Sequence, residues 1–152
     1  MANTYSQIYI QIVFAVAGRE NLIKTGWKDE LYKYTTGVVK NHGQKLITIG
    51  GVENHVHILL GIKPNITLSD LVREIKANSS RFINEKGFVR GKFAWQEGFG
   101  AFSYSHSQLG DVIRYIQNQE EHHKETSFKS EYLKFLKKYE VDFDERYLFD
   151  FE

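Results

Sequence analysis

Two histidines separated by one apolar residue are the side chains of this chain best suited to chemistry. His55 and His57 lie within residues 53–64, whose many apolar residues predict a short, mostly buried strand. Residues i and i+2 of a strand point to the same face, so the two imidazoles should stand side by side. Together they can bind one cation or one phosphate oxygen, but two ligands do not complete a metal shell. The alternative is a polar strand face hydrogen-bonded to its neighbours.

A second pair of reactive side chains lies four residues apart in a predicted helix over residues 108–122. Tyr115 and Gln119 share one face of that helix. The amide oxygen of Gln119 is a suitable third ligand for a hard cation, and the phenol of Tyr115 can attack phosphorus when a nearby cation eases its ionisation. Alternatively, Tyr115 packs with Val112 and Ile116 against the sheet.

Two further histidines follow directly in the chain. His122 and His123 come three and four residues after Gln119, so either can replace a ligand at the same site. They also suit an exposed position at the end of a helix, where partial positive charge interacts favourably with the macrodipole.

The elements that must position these side chains follow the order β-α-β-β-α-β. Besides the histidine strand, the sequence predicts strands over residues 5–16, 45–51 and 101–105. It predicts helices over residues 27–41, 67–84, 108–122 and 127–139. Thr67 and Ser107 are the expected caps of the second and third helices. This order is typical of an α+β, ferredoxin-like (split β-α-β) fold, in which an antiparallel sheet carries helices on one face. Additional C-terminal helices follow, and the other sheet face would remain free for a ligand or a second chain.

Length and composition indicate one globular domain over residues 1–152. We expect a core over residues 5–123, followed by a C-terminal helix and an acidic tail over 124–152. The chain has no cysteine, which excludes disulfides and thiolate metal sites. No apolar run is long enough to span a membrane, and residues 1–11 lack the pattern of a signal peptide. A cytoplasmic location is therefore expected, although a chain without cysteine also suits the periplasm.

The net charge is only +1, but it is unevenly distributed. Residues 63–92 hold seven basic and three acidic side chains, whereas residues 120–152 hold ten acidic and six basic ones. This asymmetry indicates a basic surface suited to nucleic acid and an acidic tail, unless the charges are simply scattered in solvent. Phe93 and Trp95 are candidates for stacking on unpaired bases, with packing in the core as the alternative, favoured more for Phe93 than for Trp95. The candidate phosphate contacts are Arg73, Lys76, Arg81, Lys86, Arg90 and Lys92.

Four segments of the chain resemble small bacterial HUH-superfamily transposases with a single catalytic tyrosine, from insertion sequences or associated with REP repeats. The segments are GGVENHVHILLGIKP, LSDLVREIKANSSRFINE, FAWQEGFGAFSYSHS and VIRYIQNQEEHH. The resemblance implies that His55, His57 and Gln119 bind Mg²⁺ or Mn²⁺. It implies that Tyr115 attacks single-stranded DNA, forming a 5′-phosphotyrosine and leaving a 3′-hydroxyl. By softness alone, imidazoles would also suit Zn²⁺ or Ni²⁺.

The resemblance also implies a partner and a substrate. Members act as homodimers in which the tyrosine helix of one subunit can complete the histidine site of the other, and they act on DNA ends marked by hairpins. The family includes domesticated, repeat-associated nucleases, which these motifs do not separate from active mobile elements.

Two functions of other classes compete with the transposase. A ferredoxin-like sheet is also the scaffold of RNA-recognition modules, which bind single strands without cleaving them. A metallohydrolase would use water as its nucleophile. A covalent protein–DNA adduct distinguishes the transposase from both.

Overall fold

The computed structural model describes residues 3–19 and 21–149, so residues 150–152 of the predicted acidic tail lie outside the described residues. Within the described part, no helix is both long and apolar enough to cross a membrane. The strands and helices are β1 Tyr9–Ala15, α1 Thr25–Asn41, β2 Lys45–Val52, β3 His55–Gly61, α2 Leu68–Lys86, β4 Gly100–Tyr104, α3 Leu109–Gln117, α4 Gln119–His122 and α5 Phe128–Lys138.

The four strands form one antiparallel sheet in the order β2-β3-β1-β4. This is the arrangement of a ferredoxin-like α+β fold, as predicted. Alternation along β3 divides its side chains between the two faces. Ile58 and Leu60 belong to the main core with Leu31 of α1 and Ile75 of α2. His55 therefore projects to the opposite face of the sheet.

That opposite face is covered by the C-terminal helices, so the expectation of a free sheet face is wrong. Leu59 of β3 packs with Val112 and Ile116 of α3. Phe135 of α5 stacks on Phe102 of β4 with ring centroids 4.9 Å apart. The physical reason is that this face carries large apolar side chains among its polar ones, and these are stabilised when helices remove them from water.

Two glycines let these helices approach the sheet closely. A Cβ atom at Gly50 would lie 2.3 Å from the carbonyl oxygen of Ile116 in α3. One at Gly100 would lie 2.7 Å from the ring of Tyr132 in α5. Both glycines belong to the cross-strand row that contains His57. The absence of side chains at these two positions thus lets α3 and α5 lie close to the sheet beside the histidines.

The helix starts agree with sequence expectations in one case and differ in another. The side chain of Thr67 caps α2 by accepting a hydrogen bond from the backbone N–H of Asp70, 3.1 Å away. The predicted cap at Ser107 is wrong, because helical structure begins directly after Ser105 with a 3₁₀ turn that leads into α3. Ser105 and Gln108 form a capping box there, with the Gln108 side chain accepting from the Ser105 N–H at 2.8 Å.

Candidate active site

The paired histidines of β3 are buried side by side beneath the C-terminal helices. The rings of His55 and His57 have centroids 5.1 Å apart, and both side chains are fully buried. His55 Nδ1 lies 2.7 Å from Asn54 Oδ1, and His57 Nδ1 lies 2.7 Å from Gln11 Nε2. These contacts hold both rings so that their Nε2 atoms face one common point.

Tyr115 and Gln119 reach the same point from above the sheet. The predicted continuous helix is interrupted at Asn118, which separates α3 from α4. Both side chains nevertheless face the histidines. Gln119 Oε1 lies 3.3 Å from His55 Nε2, and the ring of Tyr115 lies 5.8 Å from that of His57. The structure therefore brings together all four residues that the sequence singled out for chemistry.

The centre of the cluster is a carboxylate that the sequence analysis missed. Glu131 of α5 is almost fully buried, and its Oε1 lies 3.2 Å from His55 Nε2 and 3.1 Å from His57 Nε2. Its Oε2 accepts hydrogen bonds from the Tyr115 hydroxyl and from Gln119 Nε2. One signal was available in the sequence, because Glu131 interrupts the apolar stripe of α5, where a charged side chain requires a partner.

The two remaining histidines of the segment occupy different positions. His123 belongs to the cluster, with Nε2 3.0 Å from Glu131 Oε1 and Nδ1 2.6 Å from the backbone oxygen of Thr126. His122 lies at its rim, with Nε2 3.4 Å from the Tyr115 hydroxyl and about a third of its side chain exposed. Of the two, His123 is therefore the one placed among the candidate ligands.

Burial and hydrogen bonding set the charges of the cluster. Burial lowers the pKa of His55 to about 4, so its imidazole is neutral. Burial opposes ionisation of Glu131, but the imidazoles of His123, His55 and His57 outweigh it and hold the pKa of this carboxyl well below its usual range. Burial, reinforced by the Glu131 carboxylate, raises the pKa of the Tyr115 phenol. The cluster thus combines an anionic carboxylate with a neutral imidazole and a neutral phenol.

The donor atoms of the cluster suit a divalent cation. The ligand atoms of His55, His57, His123 and Glu131 all lie within 4.8 Å of one another. Metal–ligand bonds of about 2.0–2.2 Å place neighbouring ligands about 2.8–3.6 Å apart, from octahedral to tetrahedral geometry. The three distances between imidazole Nε2 atoms and Glu131 Oε1, 3.0, 3.1 and 3.2 Å, fall in that range. The residues present therefore fit such an ion.

An open cleft leads from solvent to the phenol. It has a volume of about 430 Å³, and Tyr115, His122 and Glu131 line it together with Lys134 and Lys138 of α5. The two lysines place positive charge beside the approach to the hydroxyl, which favours an anionic substrate. Neither lysine was among the residues selected from the sequence.

Three of the predicted DNA contacts line a single groove elsewhere on the molecule. Arg73, Lys76 and Trp95 border a groove of about 470 Å³ between α2 and residues 94–99. Burial lowers the pKa of Lys76 to about 8, and its Nζ donates to the backbone oxygen of Gln96 at 2.9 Å. Lys76 is thus partly engaged by the protein itself.

Trp95 of this groove is itself hydrogen-bonded to the protein, and the predicted DNA contacts outside the groove are more dispersed. Trp95 donates from Nε1 to Ser79 Oγ at 2.9 Å and is only partly exposed. Phe93 is buried in the core, so the alternative holds for it and it is not available for stacking on a base. Four further basic residues are not brought into the groove: Arg81, Lys86, Arg90 and Lys92.

The fold and the site together define a class, a ferredoxin-like protein with a histidine pair, a carboxylate and a tyrosine buried against its sheet. Residues 4–119 match the family described as IS200-like transposases, and the chain belongs to this family of DNA strand-transfer enzymes. The family and the buried histidine-rich cluster together indicate a divalent metal. The resemblance drawn from the sequence motifs is confirmed.

Individual relatives agree with this assignment. The chain is 23% identical over 118 residues to the ISDra2 transposase TnpA of Deinococcus radiodurans, covering 74% of this chain and 84% of that protein. The crystal structure of a candidate transposase from Deinococcus radiodurans R1 matches with a TM-score of 0.63 and 19% identity, over 78% of this chain and 95% of the other. A REP-associated tyrosine transposase bound to a REP hairpin matches with a TM-score of 0.55 and 16% identity, over 76% and 68%.

Proposed function

We propose that this protein is a single-stranded DNA transposase that cuts and rejoins DNA with Tyr115 as its nucleophile. The observation that carries the proposal is the meeting of the Tyr115 hydroxyl with the two β3 imidazoles and the Gln119 amide in one buried cluster beside an open cleft. A tyrosine that only completed the core would have no need of a cleft or of a cluster of metal ligands.

The chemistry follows from the placement of these groups. His55, His57 and Gln119 would hold Mg²⁺ or Mn²⁺, which when bound supplies a Lewis acid that polarises a non-bridging phosphate oxygen. The Tyr115 hydroxyl already donates a hydrogen bond to Glu131 Oε2 and would pass its proton to that oxygen only as its own oxygen attacks phosphorus in line, because the pKa of the free phenol is raised and that of the carboxyl is lowered. The Tyr115–phosphorus bond forms, the bond to O3′ breaks, and the leaving oxygen takes up a proton to become a 3′-hydroxyl. A 3′-hydroxyl from another DNA end can reverse the step, so cutting and joining use the same groups.

The proposed substrate is single-stranded DNA carrying a hairpin near the cleavage site. It is supported by the relative described as bound to a REP hairpin and by the basic residues of this chain. Arg73, Lys76 and Trp95 would contact the strand at the α2 groove, and the more dispersed Arg81, Lys86, Arg90 and Lys92 would contact phosphates beyond it. We further propose a homodimer that acts on the DNA of the cytoplasm, as an active mobile element or as a domesticated nuclease.

A labelled single-stranded oligonucleotide taken from the flanking genomic DNA tests the proposal. With Mn²⁺, the wild-type protein should form an adduct that survives SDS and migrates as protein plus DNA. Tyr115→Phe should abolish the adduct, because a phenyl ring has no nucleophile. Tyr147→Phe is the matched control, since the Tyr147 side chain is 80% exposed, and it should retain the adduct.

Three outcomes would contradict the proposal. An adduct that persists in Tyr115→Phe would assign the nucleophile elsewhere. Cleavage without attachment to protein would favour the metallohydrolase. Binding that needs no divalent cation and gives no cleavage would favour a module of the RNA-recognition type.

A further inference from the structure

The hydrogen-bond partners of His123 reveal an unusual feature of the cluster. His123 Nδ1 lies 2.6 Å from the backbone oxygen of Thr126, which can only accept a hydrogen bond. A neutral His123 must therefore carry its proton on Nδ1 and present a lone pair from Nε2. That lone pair faces Glu131 Oε1 at 3.0 Å, and a carboxylate oxygen is also only an acceptor. Two acceptors at this distance repel each other unless a positive charge lies between them, either a second ring proton that makes His123 an imidazolium paired with Glu131 or a metal cation.

The same mismatch recurs at His55. Its Nδ1 faces Asn54 Oδ1 at 2.7 Å, an arrangement that places the ring proton on Nδ1. Its Nε2 then presents a lone pair to Glu131 Oε1 at 3.2 Å and to Gln119 Oε1 at 3.3 Å. Both of these oxygens are acceptors, so several lone pairs converge on one small volume. A cation satisfies all of them at once.

His57 can join the same set without movement of the backbone. In the present arrangement Gln11 Nε2 donates to His57 Nδ1, and His57 Nε2 faces Glu131 Oε1 at 3.1 Å. Rotation of the Gln11 amide by half a turn presents its oxygen instead, which moves the ring proton to Nδ1 and frees Nε2 for a metal. His57 thus switches from a hydrogen-bond donor to a ligand by a local rotation.

We propose that Glu131 and His123 are direct metal ligands, so that the site consists of three imidazoles and one carboxylate with Gln119 as a further oxygen donor. This inference rests on the metal site of the proposed function and extends it to the part of the chain that follows the family match, which ends at residue 119. Both added ligands are positioned by that segment, His123 at the end of α4 and Glu131 on α5.

The donor set determines which metal is preferred. Mg²⁺ favours oxygen ligands and retains several waters, whereas imidazole nitrogens suit the first-row transition metals. Three imidazoles therefore select Mn²⁺ and the later metals over Mg²⁺, and the carboxylate supplies a negative charge that strengthens binding. A site of His55, His57 and Gln119 alone would carry no negative charge and would discriminate less between Mn²⁺ and Mg²⁺.

Calorimetric titration of the metal-free chain of residues 1–152 with Mn²⁺ and with Mg²⁺ tests the inference without any enzyme assay. The wild-type protein should bind Mn²⁺ at least about tenfold more tightly than Mg²⁺. Glu131→Gln and His123→Gln should each weaken Mn²⁺ binding by at least about 10–100-fold, the loss typical of removing even an outer partner of a metal ligand. Glu121→Gln and His106→Gln are matched controls at exposed positions and should bind as the wild type does.

The outcomes separate this inference from the proposed function. Circular dichroism of each variant first establishes that it is folded, and Glu131→Asp, which keeps the charge, should lose less affinity than Glu131→Gln. Wild-type Mn²⁺ affinity in both Glu131→Gln and His123→Gln would overturn the inference and assign the two side chains to an ion pair. The proposed function would still be tested separately after that result, by the adduct of the wild-type protein and its loss in Tyr115→Phe. Conversely, normal metal binding without any adduct would overturn the proposed function alone.

Discussion

Glu131 connects the two halves of the candidate site at the level of single residues. One carboxylate oxygen faces the imidazoles of β3, and the other accepts a hydrogen bond from the hydroxyl of Tyr115. A buried carboxylate is stable only with such partners. The position of the Tyr115 hydroxyl, our proposed nucleophile, therefore depends on the same side chain that we propose as a metal ligand.

Gln11 offers a test of how strongly the histidine orientation matters. Its amide contacts His57 Nδ1 at 2.7 Å, and its oxygen accepts from the Tyr104 hydroxyl at 2.8 Å. Gln11→Leu replaces the amide by an apolar side chain of similar bulk and removes both contacts, so the His57 ring loses its fixed orientation. We expect Mn²⁺ affinity, measured by calorimetry, to fall about 10–100-fold.

Gln117→Leu is the control for this experiment, because Gln117 is exposed on α3. It makes the same chemical change away from the cluster and should leave Mn²⁺ affinity as it is. Equal affinity in Gln11→Leu and the wild type would show that the contact does not orient the ligand.

At the level of elements, the packing of α3 against the sheet determines where the proposed nucleophile, Tyr115, lies. A Cβ atom at Gly50 would lie 2.3 Å from the Ile116 carbonyl oxygen, which is backbone and moves only with the helix. Gly50→Ala should therefore displace α3 and with it Tyr115. We expect a loss of about 1–3 kcal/mol in the free energy of unfolding by urea and a weaker adduct.

Gly37→Ala provides the contrast within the same chain. Gly37 lies inside α1, and a Cβ atom there would meet nothing within 4 Å. Because alanine is a better helix former than glycine, this change should raise stability by about 0.5–1 kcal/mol and leave the adduct intact. Equal stability of Gly50→Ala and the wild type would contradict the argument from close packing.

At the level of the whole molecule, the arrangement of Tyr115 bears on the proposed dimer. Its hydroxyl contacts Glu131 of the same chain, and its ring lies 5.8 Å from His57 of the same chain. A complete set of candidate groups is thus assembled within one subunit. This placement favours cleavage by a subunit's own tyrosine over exchange of the tyrosine helix between subunits.

Mixing two inactive variants distinguishes these arrangements. If each subunit uses its own tyrosine, Tyr115→Phe mixed with the double variant His55→Ala, His57→Ala should form no adduct in the SDS assay. Refolding the two proteins together ensures that mixed dimers form, and refolded wild-type protein serves as the control. Recovery of the adduct in the mixture would show that the tyrosine helix serves the partner subunit.

Several features of the fold and the site could be predicted from the spacing of residues that are close together in the sequence. The alternation of β3 predicted that His55 and His57 share a face, and the spacing of Tyr115 and Gln119 predicted a shared helix face. The cap at Thr67 followed from its side chain and its position before an apolar stripe. These expectations depend on geometry within a few residues, which the chain specifies directly.

Contacts between distant segments required the folded structure. Glu131 bonds to His57 across 74 positions, and nothing local to α5 identifies its partner. The covering of the second sheet face was missed for the same reason, since it depends on α3 and α5 folding back over β3 and β4.

By itself the sequence determined the strand and helix order, the paired histidines, the tyrosine with its glutamine, and the family. Only the tertiary structure decided that a carboxylate and a third imidazole join them, and that the sheet face above them is closed. The reason is physical: side chains far apart in the chain become neighbours only when burial of apolar surface brings their elements together. The protonation of these side chains depends on their burial and on their neighbours, so it is set only in the folded structure.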